Sequence, residues 1–529
     1  MAPEASGPLG LQLVRELTGQ HLSPGVGRAL VLLVTFLTYA SYHMARKAPS
    51  VVKSVLCPSK NVHAGAAHEA HAFSHRLLRV NEGGWAPFNG SGGKTELGNL
   101  DMAFLLTYAL GMFVSGHIAD KANLRHFLTL GLLLSGAFTA LYGMAFFWDI
   151  HSLPYFLFVQ VAAGLFQSTG WPAVVAVVGN WFAKGKRGLI MGIWNSHTSV
   201  GNILGAVVPA AVLHYGWGWC LVVPGMAMMG MSLVVLLFLP TEPAEVGLPS
   251  PYKRSEEEQG AGEDGSSSGS ALPGYDRIGE ARERSSSGGV RSEAARGNGS
   301  VGFLRAWAIP GVATFACALF FAKLVAYTFL YWLPFYVHNT VIGGKSISPT
   351  EAANLSTLFD VAGIAGGIVA GYLSDRTKKS GTIAATFLVL AVPVLYAYQR
   401  FGHVSLGINI ALMMISGFFV NGPYALITTA VSAELGTHES LKGNAKALGT
   451  VTAIIDGTGS LGAAVGPPLA GWISSTYSWG DVFMLLYLAV GCAAILLSRV
   501  VIAETCRSRG RRSRQSDTSP LLGESSNED

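Results

Sequence analysis

Apolar runs of about membrane-spanning length recur along most of the chain, separated by short polar turns, and one long polar stretch divides them into two sets. A membrane helix needs about 20 mostly apolar residues to cross roughly 30 Å of hydrocarbon. Twelve runs qualify, at about 28–55, 99–118, 124–147, 153–181, 188–212, 217–239, 308–337, 352–373, 381–398, 405–432, 444–472 and 479–502. The pattern predicts an all-α membrane protein of two six-helix halves, 28–239 and 307–503, with tails at 1–27 and 504–529. Between the halves, 240–306 is rich in Ser, Gly, Glu and Arg, including SEEEQGAGEDGSSSGS. Such a segment buries too little apolar surface to offset its ordering entropy, so it is expected to be a disordered linker, as is the C-terminal tail.

Polar groups inside these runs sharpen the picture. Within 164–202, two apolar runs flank a basic hinge of Lys184, Lys186 and Arg187, and carry Gln167, Trp171-Pro172, Trp194-Asn195 and His197. Polar and helix-breaking groups are expensive in hydrocarbon, so they point to a lined cavity rather than a lipid-facing wall. Composition agrees: half the 529 residues are apolar, 13% are charged, and 65 are glycines, which let membrane helices approach closely. The net charge of +5 is scattered, giving no support for nucleic-acid binding. Five cysteines without paired spacing imply neither a disulfide framework nor a zinc site. No cleavable leader is evident, so the first apolar run is expected to remain as a span. No nucleophile–base constellation or nucleotide motif appears; the chain reads as neither an enzyme nor a cofactor binder.

Lys121 and Arg125, the hinge, Arg376 with Lys378 and Lys379, and Lys442 with Lys446 all fall on one side of the predicted topology, together with both termini. The positive-inside rule makes that side cytoplasmic. The basic 56–98 loop runs against the rule, although loops of that length translocate despite their charge. It carries the sequon Asn89-Gly90-Ser91, usable only on the non-cytoplasmic side. Its histidines, His63, His68, His71 and His75, have no cysteine or carboxylate support as metal ligands. The halves also echo each other: Gly116-x-x-x-Asp120-Lys121 and Gly371-x-x-x-Asp375-Arg376 end equivalent helices, as expected of a repeated cytoplasmic gate.

These paired motifs on six-plus-six helices resemble the major facilitator superfamily, and within it the organophosphate:inorganic phosphate antiporters. The resemblance rests on Arg46-Lys47 in YHMARK, Gln167-x-x-Gly170-Trp171-Pro172, Trp181-Phe182, Arg187-Gly188, Trp194-Asn195, Trp332-Leu333-Pro334-Phe335-Tyr336 and Gly422-Pro423. GWAPF at 84–88, YTFLYWLPFY at 327–336 and NGPYALITTAVSAELGTH at 421–438 resemble the plant glycerol-3-phosphate transporter group and the animal sugar-phosphate exchangers. The resemblance implies exchange of an organophosphate, glycerol-3-phosphate before hexose phosphate, for inorganic phosphate, by a carrier expected to be monomeric in its bilayer.

It also implies the site. The family's matching arginine binds substrate phosphate, which assigns Arg46, whose guanidinium fork suits two phosphate oxygens. A straight helix from Arg28 places Arg46 about 27 Å along, and continuation to Leu56 keeps it inside the protein. Lys47 is a second candidate, facing elsewhere. On the seventh run the bacterial exchangers carry a second arginine where this chain has Ala326; Lys323, one turn away, either replaces it or forms a structural ion pair with Asp360 or Asp456. Arg46 and Lys323 would then meet one phosphate from the two halves, their mutual repulsion accounting for obligatory exchange. The family's histidine position falls at Thr198, so His197 is off register by one, and Met112 stands where the glycerol-phosphate exchanger has lysine. Tyr39, Tyr42, Tyr108, Trp171, Asn195, Tyr327 and Tyr424 are candidate lining. Two other classes remain open. A proton-coupled carrier of a sugar or carboxylate would depend on Asp360, Asp456 or Glu434; a non-transporting sensor or scaffold would act through its linker. In the tail, Arg507 to Arg514 suits an anionic lipid surface. The run Asp517 to Leu522 resembles an endosomal or vacuolar sorting signal, which leaves endomembrane and plasma membrane both open.

Overall fold

A computed structural model of the chain describes residues 7–20, 22–58, 83–119, 121–182, 194–249, 307–431, 435 and 445–517, and these are helical almost throughout. The hinge lysines and arginine, Asp120, Glu434, the four loop histidines, linker residues 250–306 and the tail beyond 517 lie outside the described residues. A short amphipathic helix α1 (Leu9–Thr18) precedes the first span, α2 (Pro24–Lys47), continued by α3 (Pro49–Leu56). The rest of the N-terminal half is α4 (Gly93–Ala119), α5 (Leu124–Phe147), α6 (Leu153–Gln167) with α7 (Gly170–Trp181), α8 (His197–Val212) and α9 (Trp219–Phe238). The C-terminal half is α10 (Val312–His338), α11 (Pro349–Thr377), α12 (Ser380–Phe401), α13 (Leu406–Leu426), α14 (Ala445–Thr476) and α15 (Trp479–Asp517). Among the described residues, eleven spans are long and apolar enough to cross a membrane.

The helix ends follow from the sequence. Ser23 accepts from Val26 N with Pro24 at the first helical position, and Ser348 and Glu351 form a reciprocal capping box on α11. The first ten residues of the expected linker are ordered: Pro243–Val246 make a turn of 3₁₀ helix, and Glu245 pairs with Arg125 at 3.6 Å. The predicted tail likewise begins inside α15, where Glu504 accepts from the Gly381 and Thr382 amides at the start of α12.

Proline places polar groups deep in the bundle. A proline inside a helix has no N–H for the carbonyl four residues back, which then needs another donor. Pro172 leaves Ser168 O free, and the Ser115 hydroxyl of α4 donates to it at 2.9 Å. Pro334 leaves Leu330 O free, and the Lys47 ammonium, from the other half, donates to it at 2.7 Å. Gly170 lets the chain pass against Tyr42, whose ring would lie 2.6 Å from any Cβ there.

Among the described residues, the halves also touch on the side away from the termini. There Lys94 Nζ donates to Ser474 O at 2.9 Å, Thr95 and Ser475 hydroxyls lie 3.4 Å apart, and Gly98 of α4 lies against Pro468 of α14.

Candidate functional site

Arg46 sits near the end of α2 with 4% of its surface exposed. Its Nε and Nη2 both donate to Gln167 Oε1, at 2.9 and 2.7 Å, and its Nη1 donates to Tyr327 Oη of the other half at 3.1 Å. The guanidinium also lies 4.4 Å from the Tyr108 ring centroid and 5.8 Å from that of Phe104. Among the described residues no carboxylate pairs with it. A buried ion carries a penalty of several kcal/mol. Hydrogen bonds to a charged group return about 1.5–3 kcal/mol each, and a desolvated cation–π contact about 2 kcal/mol. Neutral groups therefore suffice to hold the charge without cancelling it.

Lys47 faces away from the partners of Arg46; it is 1% exposed and ties α2 to α10 through Leu330 O. A second bond between halves lies close by, Asn202 Nδ2 of α8 donating to Asp360 Oδ1 of α11 at 3.0 Å. Lys323 lies on α10, one turn before Tyr327. Its ammonium pairs with Asp456 at 2.8 Å, lies 3.3 Å from Ser460 Oγ and sits 5.6 Å from the Tyr424 ring. Of the two carboxylates weighed for Lys323, Asp456 is the partner. Its charge is thus balanced locally, so mutual repulsion between Arg46 and Lys323 does not describe this conformation.

The expected lining residues divide. Tyr39 links the groups, with its hydroxyl 3.5 Å from that of Tyr108 and its ring 5.3 Å from Trp171 and 4.6 Å from His197. His197 is fully buried, 4.3 Å from the Trp194 ring, with Nδ1 3.3 Å from Thr198 Oγ1. Tyr42 packs on Gly170. Asn195 is half-buried at the turn before α8, and its carbonyl accepts from Thr198 N. Farther off, Lys121, Asp375 and Arg376 are exposed at helix ends, and Arg376 donates to Tyr372 Oη at 3.4 Å. Asn89 is exposed and donates to Gly83 O at 3.1 Å.

Three features escaped the sequence reading. His43, one turn before Arg46, lies 5.9 Å from the His197 ring. Gln167 was legible as a polar intruder but not as the arginine's partner. Lys53 of α3 pairs with Asp101 of α4, both 2% exposed, beneath the Trp332 indole of the other half, 4.0 Å from the ammonium. The signal for that pair was present, since two opposite charges inside apolar runs demand each other.

Beside Arg46 a cavity of about 10 Å³ is lined by Gln167, Thr139, Gln160 and Tyr331, among others. That volume fits roughly one water molecule. A phosphate ester is larger than that space.

The family profile described as Major Facilitator Superfamily matches residues 35–440 and again 341–524. The chain is similar to an Arabidopsis thaliana protein named "Putative glycerol-3-phosphate transporter 1", 53% identical over 498 residues, covering 94% of this chain and 92% of the relative. It is also 49% identical over 488 residues to "Glucose-6-phosphate exchanger SLC37A2" of Bos taurus, covering 91% of this chain and 96% of that protein. Among solved structures, a bacterial homolog of the human lysosomal transporter Spinster, in an inward-facing and unoccupied conformation, superposes with a TM-score of 0.59 at 15% identity. That match covers 91% of this chain and 97% of the other, and it bears on the fold alone.

Proposed function

Since the chain belongs to the Major Facilitator Superfamily, we propose that it is a secondary transporter exchanging an organophosphate for inorganic phosphate by alternating access. The fold in this reading has twelve membrane helices with both termini cytoplasmic, and the carrier works as a monomer. Glycerol-3-phosphate is the first substrate class and hexose phosphate the second, in keeping with the names of the two relatives.

One observation carries the reading: Arg46 is a buried cation that neutral groups from both halves hold and no described carboxylate neutralises. A phosphate supplies the missing charge and accepts from the fork with two oxygens. Its arrival displaces Gln167 from the Nε and Nη2 edge and draws the guanidinium away from Tyr327, which loosens one of the ties between halves and allows them to rock. Without an anion, Arg46 recloses onto Gln167 and Tyr327. Return of the empty carrier is therefore disfavoured by this restored tie between the halves rather than by two repelling charges. Lys323 joins the substrate only if Asp456 releases it, so it tunes the second half of the site. Trp171, Tyr39 and His197 face the carbon skeleton and its hydroxyls.

The test is counterflow of labelled phosphate in proteoliposomes against glycerol, triose and hexose phosphates. Arg46→Ala is expected to abolish it while the purified protein keeps its elution profile and helical content; undiminished exchange would overturn the assignment.

A further inference from the structure

We infer that Gln167 is a neutral stand-in for a phosphate oxygen, occupying the docking edge of Arg46 until an anion displaces it. The inference rests on the exchange reading above. Nε and Nη2 form the edge of a guanidinium that donates two parallel hydrogen bonds to an oxyanion. Here one amide oxygen accepts from both, at 2.9 and 2.7 Å, so a single acceptor fills an edge built for two. The amide is oriented for this task. Gln167 is 2% exposed, and its Nε2 faces Ser135 Oγ at 3.5 Å, which in turn donates to Ala163 O. That arrangement turns the oxygen, not the nitrogen, toward the arginine.

The position also permits withdrawal. Gln167 is the last residue of α6, and the chain turns through Ser168 and Thr169 before α7 begins at Gly170. Bonds from an ionised donor to an ionised acceptor are stronger than bonds to a neutral amide. An arriving phosphate therefore wins the edge, and its departure returns the amide. A glutamate here would be a permanent counter-ion, and an apolar residue would leave the edge bare. Glutamine satisfies the arginine without neutralising it, so Gln167 is a positioning residue that sets how tightly the carrier grips its anion.

Two variants separate this from a packing role. Equilibrium binding of labelled inorganic phosphate to the purified full-length protein is measured together with KM and kcat for counterflow. Gln167→Glu is expected to weaken phosphate binding at least tenfold. Gln167→Met, similar in volume but without an acceptor, is expected to tighten it several-fold while lowering kcat, because release slows. Gln167→Leu reads the same arm if the methionine variant does not fold. A packing role would move both affinities in one direction or neither, and either result overturns the inference alone. A wild-type protein that binds no phosphate overturns the exchange reading and this inference with it.

Discussion

Arg46 and Lys53 are both buried cations on one continuous face of the first span, two helical turns apart, yet they are satisfied in opposite ways. Lys53 has a carboxylate of its own, Asp101, and an indole roof from the other half. Arg46 has an amide, a phenol and a ring, and none of these carries charge. A paired charge is finished and holds helices together. On the exchange proposal, the uncountered one receives the arriving anion.

The sharpest way to break the contrast is to give Lys53 the electrostatics of Arg46. Asp101→Asn strands a buried ammonium and is expected to cost about 3–5 kcal/mol of stability, seen as a lowered thermal midpoint in detergent. The double change Lys53→Met, Asp101→Leu should recover most of that loss, since an apolar pair of similar volume often replaces a buried ion pair without penalty. If Asp101→Asn instead unfolds normally but ceases to exchange, the pair belongs to the transport step and the contrast fails. Next in size is Arg46→Lys, which keeps the charge and loses the planar fork. Counterflow is expected to fall ten- to a hundredfold with the fold intact; wild-type rates would mean that charge alone is enough. Smallest is Trp332→Leu, which removes the cation–π roof worth about 0.5–2 kcal/mol. It should loosen the contact between halves, read as faster labelling of a cysteine placed at Ser54, with phosphate affinity unchanged.

Much of this was legible in the chain. The apolar runs, the polar stretch between the two sets, and Arg46 as a charged group kept inside the protein all followed from run length and family motifs. Trp171, Tyr39 and Tyr327 were named as candidate lining, and the fold sets Tyr327 on Arg46 and Trp171 against Tyr39. What escaped were partners, because pairing in three dimensions is not local in sequence. Lys323 and Asp456 were both visible, but only the fold chooses Asp456 over Asp360. The role of Pro334 is similar. The sequence shows a helix-breaking residue; only the assembled bundle shows a lysine from the other half taking the carbonyl it frees. The ordered start of the linker was missed for a different reason. Glu245 gains its fixed place from Arg125, more than a hundred residues earlier.

The ring cluster around Tyr39 has one more consequence. Trp171 and Trp194 lie 6.2 Å apart, each beside Tyr39, with the His197 imidazole against Trp194. Indole emission depends on contacts of this range and on nearby charge. Two of the chain's 11 tryptophans thus form an intrinsic optical reporter beside the proposed site. Turnover by this carrier should be visible as a change in its own fluorescence, without dye or label.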